Sequence, residues 1–306
     1  MIAIVLINYN NKNDTIDCVK SIKKSVNILP PYIVVVDNNS SEKISVGDFD
    51  FYDNIKIIHS EYNIGFGKSN NLALHWILKN LNSNYVFILN NDTLLRSDTI
   101  YNLLNNFPNN KETVAASPKI LTYERKPKIW FGGGSFDFNR MSIKVDNINQ
   151  PDKKLDSIYV DFISGCAMFF KTDYLKNNRL FDPVFFMYDE DVELCLNIKK
   201  QKKKIYFISD SVIFHKCQGS QKKNVQKNIN QLHPKNKNVS FYLSMTIPNR
   251  FFILKKYFKG FNRVLYQLSL SFYFLSKSIQ FLLFGKFRLM FLTITLVIKS
   301  NFKTSQ

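Results

Sequence analysis

The chain has 306 residues, 45% of them hydrophobic and 15% aromatic, which marks a globular protein long enough for one large domain or two. Its net charge of +18 is uneven, with 16 Lys and Arg and no acid in positions 216–306, against 26 basic and 24 acidic residues in 1–215. A charge-driven function is therefore excluded for the first two thirds and confined to the last.

Residues 2–7 lack the basic n-region of a signal peptide and read as a first strand. Residues 13–26 predict a helix with Ile16, Cys18, Val19 and Ile22 on its apolar side. Residues 32–36 form strand two, which stops at Asp37-Asn38-Asn39-Ser40, and 55–58 form strand three. Asn63-Ile64-Gly65-Phe66-Gly67-Lys68-Ser69-Asn70-Asn71 opens a helix that runs through Trp76 to Leu81. Residues 85–89 are an apolar run of strand length that halts at Asn90-Asn91-Asp92. A helix over 98–107 and a short strand over 113–116 follow. Residues 118–158 carry weaker signals, with Gly132-Gly133-Gly134 as a turn or a loop beside a ligand. Strands over 159–163, 205–208 and 212–215 flank a buried run at 165–170 and a helix over 189–200. Strands alternating with helices predict an α/β domain with a mostly parallel sheet, whose ligands sit beyond the carboxyl ends of the strands. Asn8-Tyr9-Asn10, Asp37 and Asp92 all fall at that edge.

Several residues there carry chemistry. Asp92 is placed to give an oxygen to a hard cation that holds phosphates, though turn and cap roles also suit Asn and Asp. Gly67-Lys68-Ser69 ends like a phosphate-binding loop, but the glycine needed five positions earlier is Tyr62. Gly65-x-Gly67 lacks the third glycine of a dinucleotide fingerprint, because Asn70 stands there. ATPase and dehydrogenase readings therefore fall. Asp189, Glu190, Asp191 and Glu193 are the densest acidic cluster. Favourable charge at a helix N-terminus accounts for one or two of them. It does not account for Asp191 on the apolar face with Leu194, Cys195 and Ile198, where lost hydration suits a general base. His215 ends a strand and is a candidate for a diphosphate or a metal, beside the plainer role of a packed histidine.

In this order the motifs resemble the family-2 glycosyltransferases of the GT-A fold, in their bacterial rhamnosyltransferase-like branch. The matching stretches are Ile4–Asn10, Val34–Ser40, Asn63–Gly67 with Asn70-Asn71, Leu89–Asp92, Ser164–Met168, Tyr188–Cys195 and His215, which together span about residues 1–220. The resemblance implies a GT-A catalytic domain over 1–220 and a nucleotide-diphospho-sugar donor. It implies that Asp37 contacts the base, that Asn63, Gly65 and Asn70 line the nucleotide pocket, and that Asn8, Tyr9, Asn10 and Asn91 belong to the same site. Asp92, with His215, would bind Mg²⁺ or Mn²⁺ on the diphosphate, and Asp191, paired with Glu190, would be the base of an inverting transfer. The family's Asp-x-Asp stands here as Asn90-Asn91-Asp92, one carboxylate fewer. A glycan or lipid-linked glycan acceptor in cell-surface polysaccharide synthesis is implied. The rival reading is a catalytically silent sugar- or nucleotide-binding protein of the same fold.

Residues 221–306 predict a basic, amphipathic helical region. The charge-free runs there include 13 residues, 264–276, and 10 residues, 289–298. Both fall short of the ~20 apolar residues a spanning helix needs. Apolar helices with cationic edges instead predict an interfacial mode on an anionic membrane surface, with the protein cytoplasmic and peripheral on the inner face of the cell membrane. Nucleic acid is not an expected partner, because the aromatics sit in aliphatic runs and form no spaced stacking platform. Cys18, Cys166, Cys195 and Cys217 form no C-x-x-C pair, so no disulfide framework is expected.

Overall fold

A computed structural model of the chain describes residues 1–138, 142–217 and 232–302. It has two compact units. The first comprises Met1–Ser135, Val145–Phe186 and Glu190–Lys222; the second comprises Phe136–Lys144, Met187–Asp189 and Lys223–Gln306. The boundary expected at residues 220 and 221 lies outside the described residues. Residues 136–144 and 187–189, expected in the first domain, belong to the second unit.

The first unit starts with β1 (Ile2–Asn8), α1 (Lys12–Lys23), β2 (Tyr32–Asp37), β3 (Ile55–His59), α2 (Phe66–Asn80) and β4 (Tyr85–Asn90). It continues with β5 (Thr93–Leu95), α3 (Thr99–Asn106), β6 (Thr113–Thr122) and β7 (Ile129–Phe131), while β8 (Gly134–Asp137) and β9 (Ser142–Val145), most of whose residues belong to the second unit, pair as a separate two-stranded sheet. It ends with β10 (Ile158–Val160), β11 (Ala167–Lys171), α4 (Thr172–Lys176), α5 (Glu190–Lys200) and β12 (Lys204–His215). The main sheet runs β10-β12-β6-β11-β4-β1-β2-β3, with β5 beside β12 and β7 beside β6.

β1, β2, β3 and β4 are parallel, as the alternating pattern predicts. Helices cover both faces of such a sheet, so its strands read as unbroken apolar runs. Ala3 to Leu6, Ile33 to Val36 and Val86 to Ile88 are all fully buried. The register brings the polar strand ends level, pairing Asn8 with Asp37, Asp37 with His59 and Ile7 with Asn90. β11 is antiparallel to both β4 and β6, which makes the sheet mixed.

Two strands are longer than the sequence reading has them. β6 runs on through Pro118 to Thr122, and β12 is one strand where two were expected. Pro118 pairs with Ile208 beside a register shift in β12, where a missing N–H breaks no regular ladder. The inserted Ser209-Asp210-Ser211 resembles a loop in sequence but is a bulge: the Asp210 carbonyl accepts bonds from Arg96 and Asn102.

The second unit is built from α6 (Val239–Tyr257), α7 (Gly260–Leu283) and α8 (Phe287–Phe302). Leu243, Ile247, Phe251 and Leu254 of α6 are buried, as are Leu270, Phe274 and Phe281 of α7. None of the described helices is long and apolar enough to cross a membrane.

Candidate active site

The polar ends of β1, β2 and β4 are tied together by carboxamides and hydroxyls. Asn8 is fully buried. Its Nδ2 donates to Ser40 Oγ at 3.0 Å and Asp37 Oδ2 at 3.4 Å, and its Oδ1 accepts from Thr15 at 3.0 Å. Asp37 is also fully buried, and its carboxylate accepts the backbone N–H of Ser40 at 2.8 Å and of Ile44 at 2.9 Å. Asp37 thus folds the loop after β2 in this structure, and its oxygens do not reach the surface. Asn10, with a left-handed φ of 53°, accepts at Oδ1 from the N–H and the hydroxyl of Ser41. Asn91 donates to Thr15 Oγ1 at 2.8 Å, which ties the loop after β4 to α1. Tyr9 stands outermost at 46% exposed.

Asn38 and Asn63 face each other across this edge. Asn38 Nδ2 donates to Asn63 Oδ1 at 2.8 Å, and Asn38 Oδ1 accepts the Ile64 N–H at 2.9 Å. Asn63 Oδ1 also takes the Gly65 N–H. Gly65 has a φ of 82°, and a Cβ there would lie 2.3 Å from the Phe186 carbonyl oxygen. That close approach lets the N–H of Phe66 donate to the same carbonyl at 2.9 Å. Asn71 adds a two-way amide bond to the backbone of Phe181. The start of α2 therefore holds the 181–186 segment. Asn70 is buried and donates to the Phe66 carbonyl within α2. Ser40, Asn38 and Asn71 are structural parts of this edge that the sequence reading did not single out, although each lies inside a motif it quoted.

Asp92 and His215 meet at the other side of the sheet's polar edge. β5 pairs antiparallel with the end of β12, placing Thr93 opposite His215. The His215 Nε2 lies 3.1 Å from Asp92 Oδ1, and both side chains are nearly buried. Trp130 sets its ring edge-on to the imidazole at 4.8 Å, and Cys217 Sγ lies 3.4 Å from Nδ1. Burial pulls the imidazole pKa down, but neighbouring Cys166 and the Asp92 bond outweigh it, and the net value is well above 6.5. No group of three or more His, Cys, Asp or Glu suited to a metal occurs among the described residues. One carboxylate and one imidazole fit a Mg²⁺ or Mn²⁺ ion only as a two-point hold, in which the imidazole would first give up the proton it shares with Asp92. Phosphate oxygens and water would complete its shell, a common arrangement for Mg²⁺.

Asp191 lies in the first turn of α5. Leu194, Cys195 and Ile198 on its helix face are fully buried or nearly so, as the periodicity predicts. Its Oδ2 accepts the Gly165 N–H at 2.9 Å, and its Oδ1 accepts the Val192 N–H at 2.9 Å. Burial pushes the carboxyl pKa up, against those backbone bonds, and the net shift is upward. The adjacent Glu190 is 6% exposed. A part-buried carboxylate with a raised pKa and lone pairs to spare can take a proton from a hydroxyl near neutrality.

A model of "Glycosyl transferase family 2" matches residues 3–177. The chain belongs to this family. That segment contains the β1, β2, α2 and β4 motifs and ends before Asp191 and His215. Among curated proteins, the family-2 chain is similar to the low-salt glycan biosynthesis hexosyltransferase Agl10 of Haloferax volcanii, 24% identical over 200 residues. The match covers 65% of this chain and 62% of that protein, so the chain spans under two thirds of the relative's length. Among solved structures, it resembles GalNAc-T7 crystallised with UDP, GalNAc and Mn²⁺, with TM-score 0.62 and 15% identity over 83% of this chain and 47% of that one. S. aureus TarS (1–349) gives TM-score 0.58 and 15% identity over 98% of this chain and 80% of that one. The fold is GT-A.

Proposed function

We propose that the protein is an inverting glycosyltransferase that moves a sugar from a nucleotide-diphosphate donor to an acceptor hydroxyl in cell-surface polysaccharide synthesis. The observation that carries this reading is Asp191, a carboxylate held by the Gly165 backbone on an otherwise apolar helix face of a family-2 chain. The acceptor O–H proton passes to the Asp191 carboxylate as the acceptor oxygen bonds to the anomeric carbon. The bond from that carbon to the diphosphate oxygen breaks on the opposite side, and the electron pair leaves with the diphosphate. Configuration at the carbon inverts. Asp92 and His215 would hold a divalent cation, Mg²⁺ or Mn²⁺, whose chemistry when bound is to neutralise the leaving diphosphate. The nucleotide would rest on the edge of Tyr9, Asn10, Asn38 and Asn63, with Asn8, Asp37, Asn70 and Asn91 fixing its walls. Asp37 would serve the base through the loop it shapes. Titrating nucleotide sugars with Mn²⁺ and following thermal stability tests this, since a bound donor raises stability by mass action. No shift with any UDP-, dTDP- or GDP-sugar would sink the reading.

The second unit supports a peripheral membrane role. Phe261, Leu265, Leu268, Phe272, Leu275, Ile279 and Leu283 recur every three or four residues along α7, and all are exposed. Phe287, Phe291, Ile298 and Phe302 of α8 are exposed as well. An apolar stripe at helical spacing, in a region with Lys and Arg but no acid, suits the interface of an anionic bilayer. A lipid-linked acceptor would then share a plane with the enzyme.

A further inference from the structure

Helix-terminal charge and base chemistry leave one member of the acidic cluster, Glu193, without a role. Glu193 is 1% exposed, and a carboxylate that far from water needs a cation. It has one in Arg179, whose Nη2 lies 3.0 Å from Glu193 Oε1. The same Nη2 lies 2.8 Å from Oδ2 of Asp182, which is also buried. One guanidinium thus joins α5 to the segment that follows α4. Arg179, Asp182 and Glu193 all belong to the first unit.

That segment is held to α2 by separate bonds. Asn71 exchanges two bonds with the backbone of Phe181, and the Phe66 N–H donates to the Phe186 carbonyl. The Phe66 and Phe181 rings meet with centroids 5.7 Å apart. Asp182 shapes the turn between these ties: its Oδ1 accepts the Val184 N–H at 3.2 Å, and its carbonyl accepts the Phe185 N–H at 3.1 Å. Asp191 and Glu193 both stand in the first turn of α5. Two positions apart on a helix, they point about 200° from each other around its axis. The Asp191 side is tied to the Gly165 N–H and the Glu193 side to Arg179. A Cβ at Gly165 would meet Asp191 Oδ2 and Phe66 Cε1 alike at 3.5 Å, so the carboxylate sits beside the first residue of α2. Two ties on opposite sides fix the rotation of a helix end, where one would let it roll. We propose that Arg179 is a positioning residue for the transfer reaction: by joining Asp182 to Glu193 it fixes the first turn of α5, and with it the Asp191 carboxylate, against the start of α2. The inference rests on the reading of Asp191 as the base. Arg179, Asp182 and Glu193 all lie beyond the segment matched by the family model.

The test uses the full chain with Arg179→Gln, Arg179→Lys, Glu193→Gln and the double variant of Arg179→Gln with Glu193→Gln. The rates read are kcat and KM for Mn²⁺-supported hydrolysis of UDP-glucose, UDP-galactose and UDP-N-acetylglucosamine. Hydrogen–deuterium exchange is read on peptides covering residues 179–186 and 190–196. Exchange over 190–196 should rise about tenfold in Arg179→Gln, as a local opening becomes easier. Its kcat should fall about tenfold with donor KM changed less than about threefold, because the bonds from Asn71 and Phe66 stay in place. Arg179→Lys, which keeps a charge between the two carboxylates, should retain about a third or more of wild-type kcat. The double variant should lose no more than Arg179→Gln alone, as expected of a pair that acts as a unit. Losses that multiply in the double variant would overturn the inference. So would faster exchange with an unchanged kcat, because the pair would then serve stability alone. A rise in KM that matches the fall in kcat would overturn it too, since the donor edge would have moved and not the base. In each case inactivity of Asp191→Asn would spare the base reading. Wild-type hydrolysis by Asp191→Asn removes the base reading and the positioning role with it.

Discussion

Asp191 carries a cost that pH exposes. Its carboxyl pKa is raised in the folded protein by burial, so the folded state binds a proton that the unfolded chain has already released. The charged form therefore costs stability above the ordinary carboxylate value of 3.8, increasingly until pH passes the folded value, and costs nothing below both. Asp191→Asn removes that cost but turns one N–H toward an amide nitrogen in place of an accepting oxygen. The variant's Tm relative to wild type should therefore climb as pH rises from about 3 to 7, whatever its offset at acid pH. A flat difference in a calorimetric pH series would show that the carboxyl is not shifted upward. Turnover in the same variant should drop by a factor on the order of 10² or more. Gly65 gives a second residue-scale test. Its φ of 82° and the 2.3 Å approach to the Phe186 oxygen leave no place for a Cβ. Gly65→Ala should cost about 2 kcal/mol or more in urea unfolding. The sequence shows the glycine but not its partner, because Phe186 is 121 positions away and no local pattern links them.

Elements were legible where the physics is local. The parallel strands β1, β2 and β4 bury both faces and so stand out as apolar runs, and their polar ends mark the site edge. β12 was not legible as one strand, since a Ser-Asp-Ser bulge reads like a turn until Arg96 and Asn102 are seen to hold it. The start of α5 was read one residue early, because nothing in Tyr188-Asp189 announces a left-handed pair. The pairing of β5 with the end of β12 matters most for function. With the bond from the Lys216 N–H to the Asp92 carbonyl, it brings Asp92 and His215 together from 123 positions apart. Sequence order could place each at a strand end but not at a common point. If the two hold a cation, donor turnover should vanish in EDTA and return with Mn²⁺ or Mg²⁺, and Asp92→Asn should need on the order of tenfold more metal for half-maximal rate. Full turnover in chelator would leave the diphosphate to side-chain cations alone.

At the scale of the whole molecule, charge and apolar exposure coincide in the last third. Positions 216–306 hold 16 basic residues and no Asp or Glu, and the exposed stripe of α7 lies in the same region. Each Lys or Arg near an anionic surface contributes ~1 kcal/mol, screened by salt. The full chain should float with phosphatidylserine-containing vesicles at low salt and release as salt rises. Substituting Phe272 and Leu283 by Ser should weaken flotation at every salt concentration, since it removes the salt-insensitive part. Sedimentation of the protein away from anionic vesicles at low salt would restrict the stripe to a protein partner.

Within the second unit Asn249 donates to the Met187 and Tyr188 carbonyls and Arg250 lies beside Asp189, which has a consequence for synthesis. A ribosome adds roughly 5–20 residues each second, so Asn249 emerges about 3–12 s after Asp191. Once His215 has followed, the nascent chain carries the described strands of the main sheet yet still lacks the two side chains that hold residues 187–189. Until α6 is made, Tyr188 and Asp189 are free to relax to ordinary backbone angles. The left-handed pair would thus be set only after Arg250 had left the ribosome.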